Sequence, residues 1–591
     1  MVVLIFFHSE SRMLKAVLGQ FCQAYYIGNR FLQYSLKTMP VINFSYSDLC
    51  DLVGREVPRD ILRNRLPLLG ADLKSMDDSS DDVSFEFFPN RPDLYSVEGV
   101  ARALRAFLGY ETGLRSYAVG ESDVDLNVDP SVKEVRPYIW SALVEGNEIT
   151  DPLIRSMMDL QEKLHLTLGR NRRKVAIGIH DFRTVAPPFT YKAVLPDELS
   201  FMPLQDSRRM TPAEILKEHE KGKAYAFVLE GKKRYPLIVD KNGEVLSFPP
   251  IINGIVTAIT ESTRDILVDC TGTDANAVQA AVNILTTALA ERGGKIKTVR
   301  IHQDGKTMLA PDLKPLSMAL GAKYANDWIG TSLSDAEIAG CLKRMGHGTT
   351  VGNAGIDVLV AKYRADILHP VDLAEDVAIG YGYEKFGKLL PRRATFGEEV
   401  PELAFANSVR SIMTGYGYFE VVTISLSNPK EQFDALSLTE DRSVIRVKNP
   451  VSEEHILVRT SLLPSMMIIL RKNKHRELPQ RVFEIGDVVP AHKNRRHVSG
   501  AAIHAKASFT EMKSLVQSVL ASMGLGCEVA AGTNPAFIPG RCAVVSIGSE
   551  EVGVFGEVAP PTIEAFELKY PVVAFELDLD KLYGIRTASS R

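Results

Sequence analysis

Asp366, Asp372, Glu375 and Asp376 crowd into the stretch RADILHPVDLAEDVA, residues 364–378, among apolar neighbours. Pro370 suits the first turn of a helix, and acidic side chains near a helix N-terminus interact favourably with its dipole. On that reading the acids only open a helix. Yet Asp372, Glu375 and Asp376 stand at i, i+3 and i+4, so they share one helix face and repel one another. Relief must come from something positive: Arg364 and Lys362 just upstream, basic groups of a partner, or a hard cation that prefers oxygen ligands.

A second polar set lies in PLIVDKNGEVLSFPPIINGI and DCTGTD, which carry Ser247, Asn253, Asp269 and Thr271. Ser247 beside Phe248 and two prolines reads equally as a strand-end hydroxyl, and Asn253 before Gly254 as a turn former. No Ser/His/Asp set is recognisable by spacing, so Ser247 is not a nucleophile candidate. His180 in GIHDF reads first as a half-buried histidine with both ring nitrogens satisfied. Basic clusters stand at GRNRRK (169–174), EGKKR (230–234), RKNKHR (471–476) and HKNRRH (492–497). Each reads as a solvated surface, and the first is the best placed for phosphate.

The elements that must position these groups belong to a long chain. At 591 residues and 45% hydrophobic composition it can bury several cores, and ordinary domain sizes suggest about four domains. Six scattered cysteines without a CxxC pair indicate neither a disulfide framework nor a zinc site. A net charge of −4 argues against a uniformly basic nucleic-acid binder while leaving room for local basic patches. No apolar run approaches a membrane span, and VVLIFF starts at Met1 without a basic region before it, which points to a cytoplasmic protein. Residues 1–38 carry Arg12, Lys15, Arg30 and Lys37 against Glu10 alone. They read as a leader from an upstream in-frame start, with the functional chain beginning at Met39. An organellar transit segment is the alternative.

The pattern from Val41 predicts a short strand, a helix opened by Ser47, and a second helix from about Arg59, followed by an exposed loop at SMDDSSDD. Val97, Val100, Ala101, Leu104 and Leu108 recur at helical spacing. Helices at 151–166, 211–221 and 274–291 alternate with strands, an α+β signature. Toward the C-terminus AFANSVRSIMTGYGY predicts a helix, and RVFEIGDVV and AVVSIG predict strands.

Taken together, NRPDLYSVEGVARAL, VAIGIHDF, SFPPIINGIVTAIT, DCTGTD, RADILHPVDLAEDVAIGYGYEKF, VRTSLLPSM, FEIGDVV and PGRCAVV resemble, in order from about residue 39 to 585, the phenylalanyl-tRNA synthetase β-subunit family of archaeal and eukaryotic type. The resemblance implies an α+β multidomain fold. Its parts are the leader 1–38, a B1-like domain at 39–118, a B3/B4 editing domain at 119–305, a DNA-binding-like B5 unit at 306–390, and a noncatalytic class II synthetase-like antiparallel sheet domain at 391–591. It further implies magnesium ligands at Asp366, Asp372, Glu375 and Asp376, the last in place of a more usual glutamate. Ser247, Asn253, Asp269 and Thr271 become the implied editing pocket. The implied partners are an α subunit, in an α2β2 heterotetramer, and tRNA(Phe), with ATP and magnesium used at α. GLGCEV lacks the arginine that an ATP-binding strand of this class needs, so amino-acid activation belongs to α. Two readings compete: an assembly subunit with an inactive pocket, and a freestanding metal hydrolase built on residues 366–376.

Overall fold

The computed structural model describes residues 39–352, 355–388, 390 and 396–589, so the expected leader lies outside the described residues. The chain divides into two compact units between residues 389 and 390.

In the first unit, Asp82–Phe87 is the middle strand of a three-stranded antiparallel sheet between Val41–Ser45 and Ala71–Met76. The helix Tyr46–Val53 is capped by Ser45, whose hydroxyl accepts from the Asp48 N–H. Ser47, the expected opener, instead sits inside the first turn and hydrogen-bonds Asp81 at 2.8 Å. The reason is local: Ser45 ends a strand, and its extended backbone is the conformation an N-cap needs. Val97–Phe107 forms as expected and buries Val97, Val100, Ala101 and Leu104, with Leu108 as its C-cap.

A five-stranded sheet follows, in the order Val119–Gly120, Lys295–Lys297, Tyr138–Glu145, Ile266–Gly272, Val175–Asp181. Side chains alternate across each strand, so the sheet serves two cores. Val268, Cys270, Ile177 and Val144 face the helices Asp151–Leu166 and Ala275–Glu291. Leu267, Leu143 and Ile139 face a seven-stranded sheet that ends in the hairpin Val245–Phe248 and Ile252–Asn253. The first core runs on without a break into Leu49, Phe85 and Leu104, so segments 39–118 and 119–305 share it. The helix expected at 211–221 is broken. His219 takes an extended backbone between Pro212–Glu218 and Glu220–Tyr225, and its ring caps the second piece.

The last part of the unit pairs Leu316–Leu320, Gly355–Val360 and Gly348–Gly352 in a small sheet, with Gly355–Val360 in the middle. The helix Pro370–Tyr381 packs Leu373, Ala374 and Val377 against Ile338, Leu342 and Val358.

The second unit is a seven-stranded, mainly antiparallel sheet containing Gln480–Val488 and Phe537–Ile547. The helix expected from Ala404 begins earlier, at Pro401, because proline favours the first helical position. No helix among the described residues is long and apolar enough to cross a membrane.

Candidate functional site

Register brings the second polar set together. Asp269 pairs with Gly178 on one neighbouring strand and Ser141 on the other, and His180 pairs with Leu267. All lie on the sheet face that meets the seven-stranded sheet. His180 Nε2 stands 2.7 Å from Asp269 Oδ2, and its Nδ1 stands 2.7 Å from Thr257 Oγ1. A neutral imidazole that donates from Nε2 to the carboxylate accepts at Nδ1 from the threonine hydroxyl, so both nitrogens are used. Asp269 Oδ1 is buried without a hydrogen-bond partner among the described residues. Such an oxygen carries a cost of about 1–3 kcal/mol until something donates to it.

On the facing hairpin, Ser247 and Asn253 are register partners, and the Ser247 hydroxyl donates to Asn253 Oδ1 at 3.1 Å. Asn253 Nδ2 reaches the Ile179 carbonyl, next to His180, at 3.4 Å. Thr257 Oγ1 also stands 3.5 Å from the Leu246 carbonyl, next to Ser247, but its single proton is already given to His180. The Ser247–Asn253 pair thus reaches the strand residue beside His180, whose ring bonds Asp269. Thr271 lies two residues along the same strand face, where buried Arg136 holds it through its hydroxyl and its carbonyl, at 3.4 and 2.7 Å. Ser247, His180, Asp269 and Thr271 are buried, while Asn253 is partly exposed.

Thr257 and Gly178 are the members that sequence reasoning missed. A Cβ at Gly178 would lie 2.0 Å from Asp269 Oδ2, so the position is open only to glycine. The i, i+2 spacing of Gly178 and His180 on a strand was the available signal, since it places both on one face.

The acidic set at 366–376 has a different character. Arg364 grips Asp366 with Nε at 2.9 Å and Nη2 at 2.7 Å, and Nη2 also reaches Asp376 at 2.8 Å. His347 Nε2 meets Asp376 at 2.6 Å. Burial pushes the Asp376 carboxyl up, but Arg364, His347 and Arg91 together hold it well below the usual carboxylate range. Behind them Arg91 pairs with Asp93 at 2.8 Å, and Arg102 lies 3.7 Å over the Tyr363 ring. Arg91, Arg102 and Arg364 therefore balance Asp93, Asp366 and Asp376. Lys362 does not take part, being turned to Asp312 at 3.9 Å. Asp372 closes a capping box by accepting from the Leu368 and His369 N–H groups at 2.8 and 2.7 Å.

Glu375 is left over. It has no hydrogen bond or ion pair among the described residues and is solvent-accessible. The dense protein around its carboxylate, and then the charges of Asp376, Asp366 and Asp372, still raise its pKa. Among the described residues no three acid, histidine or cysteine groups close around a metal position. The donor chemistry nevertheless suits a hard cation, because Glu375 is a solvent-accessible oxygen donor that the arginines beside it do not pair.

Family models match three stretches: the B3/4 domain at residues 144–302, the tRNA synthetase B5 domain at 318–383, and the phenylalanyl tRNA synthetase beta chain CLM domain at 388–579. The phenylalanine–tRNA ligase beta subunit of Methanothrix thermoacetophila is 46% identical over 542 residues, covering 92% of this chain and 100% of the relative. That of Archaeoglobus fulgidus is 46% identical over 547 residues, covering 92% and 99%. Among solved structures, an N-terminal fragment of the phenylalanyl-tRNA synthetase beta subunit from Pyrococcus horikoshii is 39% identical with a TM-score of 0.56, covering 58% of this chain and all of the fragment. Whole-length similarity at this identity leaves one assignment: the chain belongs to the phenylalanine–tRNA ligase beta subunit family.

Proposed function

We propose that this chain works as the β subunit of a phenylalanine–tRNA ligase in the cytoplasm, beside an α subunit that charges tRNA(Phe) with ATP and magnesium, in an α2β2 assembly. Its own chemistry is proofreading in the domain spanning 119–305. Tyrosine differs from phenylalanine by one hydroxyl, which an apolar pocket rejects only about 10²-fold, so a second site is needed. That site hydrolyses the ester of tyrosyl-tRNA. Water oxygen adds to the tyrosyl carbonyl carbon, the bond to the ribose oxygen breaks, and a proton passes to that oxygen, leaving free tyrosine and uncharged tRNA.

The observation that carries this reading is the unpartnered Oδ1 of buried Asp269 beside the Ser247–Asn253 wall. Its free oxygen suits the substrate ammonium or the attacking water, while His180 and Thr257 fix the carboxylate's direction. Ser247 and Asn253 supply the polar groups that a tyrosine hydroxyl satisfies and phenylalanine does not, and Thr271 lines the same face. Purified with its α partner, wild type is expected to deacylate tyrosyl-tRNA(Phe), and Asp269→Asn to slow this by about 10-fold or more, the worth of one charged hydrogen bond. Equal rates would return the pocket to a purely structural role and favour an assembly subunit without editing.

In the B5 unit at 306–390, Asp366, Asp372, Glu375 and Asp376 are the proposed magnesium donors. Glu375 and the second oxygen of Asp372 act largely through water, and Asp366 and Asp376 act from behind Arg364, which holds both. Magnesium keeps several waters and takes few carboxylates directly, which agrees with donors that do not close into a cage. The ion would supply the positive charge that Glu375 lacks. The domain at 391–591 acts as a noncatalytic platform for α. Supporting this, Tyr416, Phe419, Val422, Ile424 and Leu426 expose apolar surface within one short segment.

A further inference from the structure

The basic loop at 169–174 is fastened beside the Ser247–Asn253 hairpin and touches Tyr225 and Phe227, a few residues before the second basic cluster at 230–234. Arg170, Asn171 and Arg172 pass through three consecutive left-handed backbone conformations, with φ of 47°, 56° and 63°. Side-chain-bearing residues hold such angles only where the surroundings fix them. Here buried Arg172 turns inward. Its Nη1 donates to the carbonyls of Pro250 and Ile251 at 3.2 and 3.0 Å, its Nη2 pairs with Glu162 at 2.7 Å, and its guanidinium lies 4.0 Å over Tyr225. From the other side, Arg136 donates to the carbonyls of Arg172 and Arg173 at 3.2 and 3.3 Å while also holding the Thr271 carbonyl. The loop is fastened both to the hairpin bearing Ser247 and Asn253 and to Thr271.

What this loop presents outward is Arg173, whose guanidinium lies 5.0 Å over the exposed ring of Phe227. Phe227 leads directly into the second cluster, where Lys232, Lys233 and Arg234 are exposed. Cations beside an accessible aromatic face match single-stranded RNA, whose phosphates take the charge and whose bases take the stacking.

We propose that Arg173 and Phe227, flanked by Lys232 and Lys233, form a rim that captures the unpaired end of an aminoacylated RNA and aims its ester at the Asp269 pocket, a role that rests on the editing reading. The rim reads backbone and base faces, not sequence. It is rigid because the buried Arg172 and Arg136 bolts leave Arg173 a fixed base.

The test uses the intact complex with its α partner and tyrosyl-tRNA(Phe) as substrate. Arg173→Ala combined with Phe227→Ala is expected to raise the KM of deacylation about 10-fold, with the loss in KM rather than kcat, the factor that one lost stacked base gives. The salt dependence of KM should flatten, because a phosphate contact is gone. Arg173→Lys should recover part of the loss, and Arg155→Ala, on the exposed face of the helix Asp151–Leu166, serves as control. An unchanged KM, a loss confined to kcat, or release of the α subunit by the double variant would each overturn the proposal. If wild type itself leaves tyrosyl-tRNA intact, the editing reading fails separately. The rim is then judged by fluorescence anisotropy with a short single-stranded oligoribonucleotide, where about 10-fold weaker binding by the double variant supports it and equal binding rejects it.

Discussion

His180 Nε2 meets Asp269 Oδ2 at 2.7 Å diagonally across two neighbouring strands, over the position of Gly178. A Cβ at Gly178 would stand 2.0 Å from that oxygen and 2.5 Å from the histidine nitrogen. Gly178→Ala is therefore expected to part the pair, cost about 1–3 kcal/mol as overpacking, and lower tyrosyl-tRNA hydrolysis more than phenylalanine charging. Thermal unfolding and deacylation rates of the variant complex check both halves. A variant with full deacylation would show that the contact does not matter to the reaction.

Acid should loosen the rim loop through His165. This buried ring accepts the Ile177 N–H at Nε2, at 2.9 Å, and its backbone carbonyl accepts from the Arg172 N–H. Burial pushes its pKa down to about 4, against the opposing pull of Glu162. Because the folded value lies below the unfolded value of about 6.5, the neutral ring's stabilisation is present above that pH and fades as pH falls toward 4, by about 3 kcal/mol in all. His165→Gln, which cannot take up the proton, should lose less stability between neutral pH and the acid end of that window. Parallel losses in both proteins would assign the acid sensitivity elsewhere.

Arg364 and Glu375 should behave oppositely. Arg364→Met leaves Asp366 and Asp376 without their shared cation and is expected to cost about 3–5 kcal/mol, the usual penalty for half a buried ion pair. Glu375→Gln removes a carboxylate whose neighbours already disfavour its charge, so without magnesium it should hold or raise Tm. Adding magnesium should raise Tm in wild type and not in Glu375→Gln. An equal rise in both proteins would move the ion away from the acidic set.

The short segment around Phe419 and Val422, 77% and 88% exposed, is a large apolar surface for a protein on its own. The isolated chain is expected to self-associate, and coexpression with α to yield a defined complex by light scattering. Phe419→Ser with Val422→Ser should weaken that complex. A clean monomer of the unmodified chain would remove the argument for an obligate partner.

Much of this was legible in the sequence where a local pattern and the fold agree. The helix Val97–Phe107 followed its apolar spacing, and Asp151–Leu166 matched its expected bounds. Ser45 and Ser47 shows where local reading fails, since both are good caps and only the end of the strand decides between them. At the candidate site, Ser247 and Asn253 are implied by the family resemblance, whereas Thr257 and Gly178 join them only in the fold. The i, i+2 spacing puts Gly178 on the face of His180, but the partner across the strands and the room that the absent side chain leaves come only from register. Likewise Arg364 was visible as a neighbour of the acids, whereas His347, Arg91 and Asp93 reach the same cluster only through folding.

The most direct test of proofreading compares how fast the α-bound protein and its Asn253→Ala form release tyrosine and phenylalanine from tRNA(Phe). Asn253 pairs with Ser247 on the facing hairpin, and a polar group that phenylalanine leaves unsatisfied discriminates by about 1–3 kcal/mol. Wild type should hydrolyse tyrosyl-tRNA and spare phenylalanyl-tRNA. Asn253→Ala should narrow that difference by about 5- to 150-fold, through slower tyrosine release or new phenylalanine release, while charging proceeds at α. Identical release of both amino acids by the two proteins would contradict the account.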